Sequence, residues 1–439
     1  MIRVCMVGTG YVGLVSGACM ADFGHHVTCV DINQERIDGL LKGEIPFYEP
    51  GLDRLVLKNV EEERLFFTTK LVEGMKDADI VMIAVQTPMS ESGEADLQYV
   101  MNVGKEIGEL MTDYKVIVTK STVPVGTARK LKKVIEAAQK TQVPFDLASN
   151  PEFLREGSSI EDFMRPDRVV IGVETDRSEE LLREIYRPLF LLDTPIVKTG
   201  IETAELIKYA SNSFLAVKIS FINEMARLAE KVGADISDVA RSMGLDKRIG
   251  SKFLHAGLGF GGSCLPKDTN AIVHIAEEAG AEMTIVRAAI GVNAGLPDTA
   301  IAKAEGLIGD LKGKTVALLG LAFKPNTDDI RSAPALDIVR LLNEKGAIVR
   351  GHDPAAMENF KLFHDDLTYC KSPYETCENA DLCILVTEWN QYRMLDFAWL
   401  RETMAGNAFL DCRNVYDRST LEKSGFKYDC FGRADQKTV

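Results

Sequence analysis

The 439-residue sequence lacks a C-x-x-C pair, a Cys/His cluster at metal-ligand spacing, a long apolar run and an excess of basic residues. Each absence excludes a class of protein. The nine cysteines stand at positions 5, 19, 29, 264, 370, 377, 383, 412 and 430. Their scatter predicts neither a disulfide framework nor a zinc site, and no metal is expected. An odd number of such thiols reads as reduced, most of them small core residues. No run approaches the roughly 18 apolar residues of a spanning helix. The chain opens on the strand-like Ile2–Val7 without a charged leader, so no signal peptide is predicted. Lys and Arg number 51 against 65 Asp and Glu, a net charge of −14. Nucleic acid is therefore not expected as a general partner, because phosphate binding needs a basic surface. One local basic pocket for a phosphorylated small molecule remains compatible with that balance. The expectation is a cytoplasmic protein that binds neither nucleic acid nor membrane.

What is present points to an α/β enzyme. The length calls for two or three domains. Short apolar runs at Arg3–Val7, His26–Val30, Ile80–Val85, Val116–Lys120 and Val169–Val173 alternate with helical patterns, the signature of a parallel sheet. From Glu202 to Val232 the chain runs without Pro or Gly, and apolar residues such as Leu206, Tyr209, Ala210, Phe214 and Val217 recur at three- and four-residue intervals. That predicts a helix of about 30 residues, roughly 45 Å long, suited to bridging domains or forming a subunit interface. Near residue 314 the α/β pattern restarts, with Lys314–Phe323, a helix at Ala335–Lys345, a strand ending at His352-Asp353-Pro354, and strands at Leu382–Thr387 and Ala408–Asp411. This second half reads as a degenerate copy of the first, with Gly320 alone where the first has three glycines. The expected fold is two Rossmann-like, doubly wound parallel-sheet domains joined by a long central helix and a helical middle domain. The expected boundaries are 1–200, 201–300 and 301–439, with the polar tail after Gly432 frayed.

Two segments carry chemistry. Gly8-Thr-Gly10-Tyr11-Val12-Gly13 fits G-x-G-x-x-G between a strand and a helix, with Asp31 ending the second strand. The glycines permit a tight turn and close approach of amides to a pyrophosphate at the helix N-terminus. A carboxylate at Asp31 would accept from ribose hydroxyls and repel a 2′-phosphate, which favours NAD over NADP; the nearby Arg36 weighs slightly the other way. The second segment is Gly257-Leu-Gly259-Phe-Gly261-Gly262-Ser-Cys264-Leu-Pro266-Lys267-Asp268. Its glycines let backbone approach a ligand, and Pro266 suits the first turn of a helix beginning just after Cys264. The positive end of that helix, with Lys267 nearby, would favour a reactive thiolate. Asp268 can orient Lys267 or handle a proton. On the long helix Lys208 and Asn212 lie four residues apart on one face, placed to supply a cation and an amide dipole to an oxyanion. Read alone, such a pair is more commonly a solvated face.

Taken with Ser149-Asn-Pro-Glu-Phe-Leu-Arg-Glu-Gly157 and Gly320-Leu-Ala-Phe-Lys-Pro-Asn-Thr-Asp-Asp-Ile-Arg331, these motifs resemble the UDP-glucose/GDP-mannose dehydrogenase family over nearly the whole chain. Phe163–Arg168 and Lys324–Asp329 look more like its UDP-glucose than its GDP-mannose members. The resemblance implies NAD as cofactor, bound by the Gly8–Gly13 loop, Asp31, Thr87, Thr122, Glu156, Lys267 and Arg331. It implies UDP-glucose as substrate, contacted by Glu152, Phe153, Leu154, Arg155, Glu156, Lys208, Asn212, Phe253, Leu254, His255, Ala256, Gly257, Gly261, Phe323 and Lys324. Arg248 matches an arginine that reaches the sugar across a homodimer interface. Cys264 is implied as the covalent nucleophile of a two-step oxidation of C6 to a carboxylate, assisted by Lys208, Asn212, Asp268, Glu156 and Thr122. Gln86 before Thr87-Pro88, and Ser332 after Arg331, depart from the usual pattern without touching the chemistry. A one-step dehydrogenase of similar layout would need no thiol nucleophile, and a dead binding protein would not need Cys264, Lys208 and Asn212 together.

Overall fold

A computed structural model describes residues 1–90 and 94–434. The chain divides into two compact units, residues 1–211 with 274–280 and residues 212–273 with 281–439.

In the first unit, eight strands form one sheet: β1 Arg3–Val7, β2 His26–Val30, β3 Leu65–Thr68, β4 Ile80–Ile83, β5 Lys115–Thr119, β6 Phe145–Ser149, β7 Val169–Val173 and β8 Ile196–Thr199. Their order is β3-β2-β1-β4-β5-β6-β7-β8. This is the Rossmann order extended by two strands. The central strands are buried on both faces, which explains why β4 and β5 are near-continuous apolar runs. One pairing departs from the expected parallel sheet: β7 runs antiparallel to β6, with Ala148 opposite Val173. Gly172 of β7 is required by packing, since a Cβ there would sit 2.6 Å from the Ala204 side chain.

The second unit contains β9 Thr315–Leu319, β10 Ile348–His352, β11 Thr368–Tyr369, β12 Leu382–Leu385, β13 Ala408–Asp411 and β14 Lys427–Cys430, ordered β11-β10-β9-β12-β13-β14. The duplication is visible in detail. Gly8 N donates to Val30 O at 2.7 Å and Gly320 N to His352 O at 2.9 Å, both glycines at positive φ. Thr9 N reaches Asp31 Oδ2 at 2.9 Å, and Leu321 N reaches Asp353 Oδ2 at 2.7 Å. In the copy, however, Trp389 Nε1 also donates to Asp353 and the carboxylate is fully buried. No ribose can reach it there.

The predicted long helix spans Ile201–Val232, 32 residues. Tyr209, Ala216, Ile222 and Ala226 are buried, whereas Leu206, Phe214, Phe221 and Leu228 are exposed. Its apolar residues therefore occupy two faces instead of one. A helix at Leu265–Glu278 follows Cys264 directly, with Pro266 in its first turn as expected. At the start of the tail Arg433 is held, its NH1 donating to Tyr416 O at 2.9 Å and its NH2 to Ser237 Oγ at 2.8 Å. Residues 435–439 of the tail lie outside the described residues. Among the described residues no helix is long and apolar enough to cross a membrane.

Candidate active site

In the first unit the three glycines of the loop have separate duties. A Cβ at Gly8 would lie 2.7 Å from Ala84 O, and one at Gly13 would lie 1.9 Å from Gly8 O. Those two serve the turn and the helix–strand contact. At Gly10 a Cβ would meet nothing within 4 Å, so the open side of the loop is there. Gly10 also precedes the helix Tyr11–Asp22, whose N-terminus has no side-chain cap. Backbone amides and open space at that end fit a pyrophosphate. Asp31 is nine-tenths buried and accepts from Thr9 Oγ1 at 2.7 Å, Asn33 N at 3.0 Å and Arg36 NH1 at 3.2 Å. Burial pushes its carboxyl up, but the Thr9 and Asn33 donors and Arg36 outweigh that and hold it below the ordinary range. Arg36 is thus occupied by Asp31 in this structure. The residues present fit a dinucleotide.

Tyr11 does more than line this loop. Its hydroxyl donates to the buried Glu49 and accepts from Gly157 N at 3.1 Å, while Ser159 N donates to Glu49 at 2.8 Å. Glu49 thereby ties the glycine loop to the Ser149–Gly157 segment, a link with no short-range sequence signal. In that segment Glu152 Oε1 lies 3.0 Å from Lys208 Nζ in a buried ion pair, and Glu152 Oε2 accepts from Leu154 N at 2.6 Å. Phe153 carries the Arg168 guanidinium 3.6 Å from its ring centroid and Lys208 Nζ at 5.4 Å. Arg155 is engaged by Asp162, and Glu156 is half-buried. Thr87 Oγ1 donates to Thr122 O at 3.0 Å, joining two predicted cofactor positions. Lys208 is therefore not on a solvated face.

In the second unit Asn212 Nδ2 donates to Asp268 Oδ2 at 2.6 Å and Lys267 Nζ to Asp268 Oδ1 at 2.7 Å. Asp268 is 1% exposed. Cys264 is the half-buried member of the nine cysteines; the other eight are buried and none forms a disulfide. Burial pushes Cys5 up to about 12 and Cys430 to about 11, and it also raises Cys19, Cys29, Cys383 and Cys412. Those thiols are protonated and inert at neutral pH. The glycines before Cys264 face protein. A Cβ at Gly257 would strike Cys412 O, at Gly259 Asn293, at Gly261 Ser332 O and at Gly262 the Phe323 ring. Gly262 N donates to Arg331 O at 2.8 Å. The predicted residues Gly261, Phe323 and Arg331 are thus packed around one loop. Arg331 and Arg248 are paired locally with Asp329 and Asp246.

Leu254, His255 and Ala256 line a cavity of about 270 Å³ with Arg241, Ser251, Arg413 and Asn414. Phe253 before them adopts φ +65°, and Gly257 N after them donates to Asn223 Oδ1 at 2.9 Å. Arg413 and Asn414 were missed from sequence. Their signal was position, directly after β13 at the carboxyl end of a sheet where ligands sit. Lys324 lies 5.4 Å from the Phe323 ring centroid. Of possible metal ligands, Glu94, His274 and Glu278 have atoms within 4.8 Å of one another, with both glutamates exposed.

Two Rossmann units, one with an open dinucleotide loop and the other with an accessible cysteine at a helix N-terminus, define a nicotinamide-dependent dehydrogenase. The chain belongs to the UDP-glucose/GDP-mannose dehydrogenase family. The family's NAD-binding domain matches residues 2–190, its central domain 202–295 and its UDP-binding domain 317–418. NAD is the cofactor. The chain is 48% identical to the UDP-glucose 6-dehydrogenase of Rhizobium meliloti (strain 1021), over 99% of this chain and all of that one. It is 45% identical to the UDP-glucose 6-dehydrogenase TuaD of Bacillus subtilis (strain 168), covering 99% and 94%. A solved UDP-glucose dehydrogenase from the hyperthermophilic archaeon Pyrobaculum islandicum superposes with a TM-score of 0.89 at 41% identity, covering 94% of this chain and 95% of the other.

Proposed function

We propose that the protein oxidises the C6 hydroxyl of UDP-glucose to the carboxylate of UDP-glucuronate in two steps through a covalent intermediate on Cys264. The observation that carries this reading is the half-buried Cys264 at the N-terminus of Leu265–Glu278, alone accessible among nine thiols. The names and near-complete coverage of the relatives support the substrate.

Each step delivers one hydride to bound NAD⁺, the chemistry that cofactor supplies. The C6 hydroxyl loses its proton to a base or to an ordered water held by Asp268 and Glu156, and with the first hydride gone it becomes an aldehyde. The Cys264 thiolate, favoured by the helix N-terminus, adds to the aldehyde carbon. Lys208 and Asn212 stabilise the resulting thiohemiacetal oxyanion. Loss of the second C6 hydrogen as hydride leaves a thioester, and water cleaves the C–S bond to return the thiolate and the carboxylate. Asp268, held by Lys267 and Asn212, fixes the Asn212 amide.

The same reading assigns residues 1–200 to NAD, 301–439 to the UDP-sugar and 201–300 to assembly of a cytoplasmic homodimer. Phe214, Phe221 and Leu228 repeat every seven residues on one exposed stripe of the long helix, at 64%, 42% and 51% exposure. Such a stripe suits a second copy, and the exposed Arg248 would exchange its local partner Asp246 for the neighbouring site. The uronate product suits polysaccharide biosynthesis. The test is a substrate panel: two NADH per UDP-glucose, with little turnover of GDP-mannose or a UDP-N-acetylhexosamine, is expected. Preference for either alternative would reassign the sugar.

A further inference from the structure

Glu49 takes no part in the chemistry above, yet its carboxylate is buried in the first unit between two segments that do. On one side stands Tyr11, the residue after Gly10 of the dinucleotide loop. The Tyr11 hydroxyl donates to Glu49 Oε2, and the Tyr11 ring packs on Phe47 at a centroid distance of 5.0 Å. Burial, with the Glu49 carboxylate adding to it, pushes the phenol far up, so Tyr11 keeps its proton and serves as the donor. On the other side Gly157 N donates to Glu49 Oε2 at 2.5 Å and Ser159 N to Oε1 at 2.8 Å. Three donors from two segments distant in sequence thus meet on one carboxylate.

Gly157 belongs to the turn that presents Glu156. Ser158 N donates to Arg155 O at 3.0 Å, which closes a β-turn with Glu156 and Gly157 at its centre. Gly157 adopts φ +80°, a conformation that glycine takes without strain. Its N–H lies in the central peptide of that turn, the unit whose rotation distinguishes one turn type from another. Glu49 holds this peptide in one orientation. The second amide, Ser159 N, opens the helix Ser159–Met164, whose N-terminus has no side-chain cap from Ser158. An orphan donor there needs an acceptor, and the Glu49 carboxylate supplies it.

We infer that Glu49 is a positioning residue: it couples the dinucleotide loop, through the Tyr11 hydroxyl, to the turn that sets the Glu156 carboxylate in place for proton removal at C6. This rests on the reading of Glu156 as a group that holds the water taking the C6 proton. A carboxylate offers acceptors to all three donors, whereas the amide of Gln has one oxygen and turns an N–H toward a donor. Glu49→Gln therefore releases the turn with little change of shape. Tyr11→Phe cuts the link to the glycine loop and leaves both amide bonds in place.

The test is single-turnover NADH formation, with KM for NAD and for UDP-glucose, in wild type, Glu49→Gln, Tyr11→Phe and Glu156→Gln. Double variants place each of the first two substitutions on Glu156→Gln, and Tm is measured alongside. Glu49→Gln is expected to slow NADH formation about 10-fold, with the KM for UDP-glucose moved less. Tyr11→Phe is expected to slow it less and to raise the KM for NAD. On Glu156→Gln neither substitution slows the step further, because the group it positions is already disabled. Tyr11→Phe keeps the inference testable if Glu49→Gln does not fold. A Glu49→Gln enzyme with the wild-type rate overturns the inference. So does a loss of equal size in the wild-type and Glu156→Gln backgrounds, from either substitution, the mark of a structural role alone. A wild-type rate in Glu156→Gln overturns the reading of Glu156 itself. An impaired Glu156→Gln on which Glu49→Gln or Tyr11→Phe is additive overturns only the positioning.

Discussion

Asn212 Nδ2 donates to Asp268 Oδ2 at 2.6 Å, and the other oxygen of the same carboxylate is taken by Lys267. Both acceptor oxygens of Asp268 are thus committed to orienting neighbours. Replacing it by Asn puts an amide against both an amide and an ammonium. Asp268→Asn is expected to lower kcat about 100-fold with the fold retained, measured by steady-state kinetics and a melting curve.

The dinucleotide reading of the Gly8–Gly13 loop makes Asp31 the residue expected to govern cofactor choice. Its carboxyl is held below the ordinary range despite burial, so it remains charged on mild acidification and its bonds to Thr9 and Asn33 persist. Its contribution to stability is present above the ordinary carboxylate range and is lost as pH falls through its lowered value. Asp31→Ala is expected to raise the KM for NAD at least about 10-fold and to narrow the preference over NADP. Parallel titrations with the two cofactors measure both.

Glu205 makes stability depend on pH in the opposite sense. Its buried carboxyl accepts from Gly126 N at 2.7 Å and Ala128 N at 3.0 Å, at the start of the helix Thr127–Ala138. Burial nevertheless pushes it up to about 7 from an ordinary 4.5. The folded state then binds a proton that the unfolded state has released, and stability falls as pH rises from 4.5 to 7. The loss is on the order of 3 kcal/mol. Melting temperature against pH should show this slope, and Glu205→Gln should flatten it.

Much of this was legible before the structure. β1, β2, β7, β13 and the long helix stand within a residue or so of their expected bounds, because each is a run whose apolar period is unbroken. The β1 and β9 turns were recognisable as copies from their glycine and acidic residues. Less legible was anything set by contacts distant in sequence. The antiparallel β6–β7 pair depends on how the connection returns, which periodicity does not encode. The two-residue β11 is too short to show a period at all. At glycines 257, 259, 261 and 262 an added Cβ would strike protein neighbours distant in sequence, contacts that no local pattern encodes. Glu49 is joined to the glycine loop through the Tyr11 hydroxyl, a contact between residues 38 apart that no local pattern encodes.

The exposed stripe on the long helix yields a prediction about assembly. Phe221→Glu places a charge in the middle of Phe214, Phe221 and Leu228. It is expected to shift the protein from dimer to monomer in sedimentation with little loss of Tm, because Phe221 contributes little to its own chain's core.

The central claim is the covalent role of Cys264, and the most direct measurement is NADH formed per UDP-glucose consumed by wild type and by Cys264→Ser, with quenched samples analysed by peptide mass. The account predicts two NADH per sugar and a UDP-sugar adduct on the Cys264 peptide for wild type, with Cys264→Ser stalled short of the uronate. A serine variant that completes both oxidations at the wild-type rate, or one NADH per sugar in wild type, would contradict it.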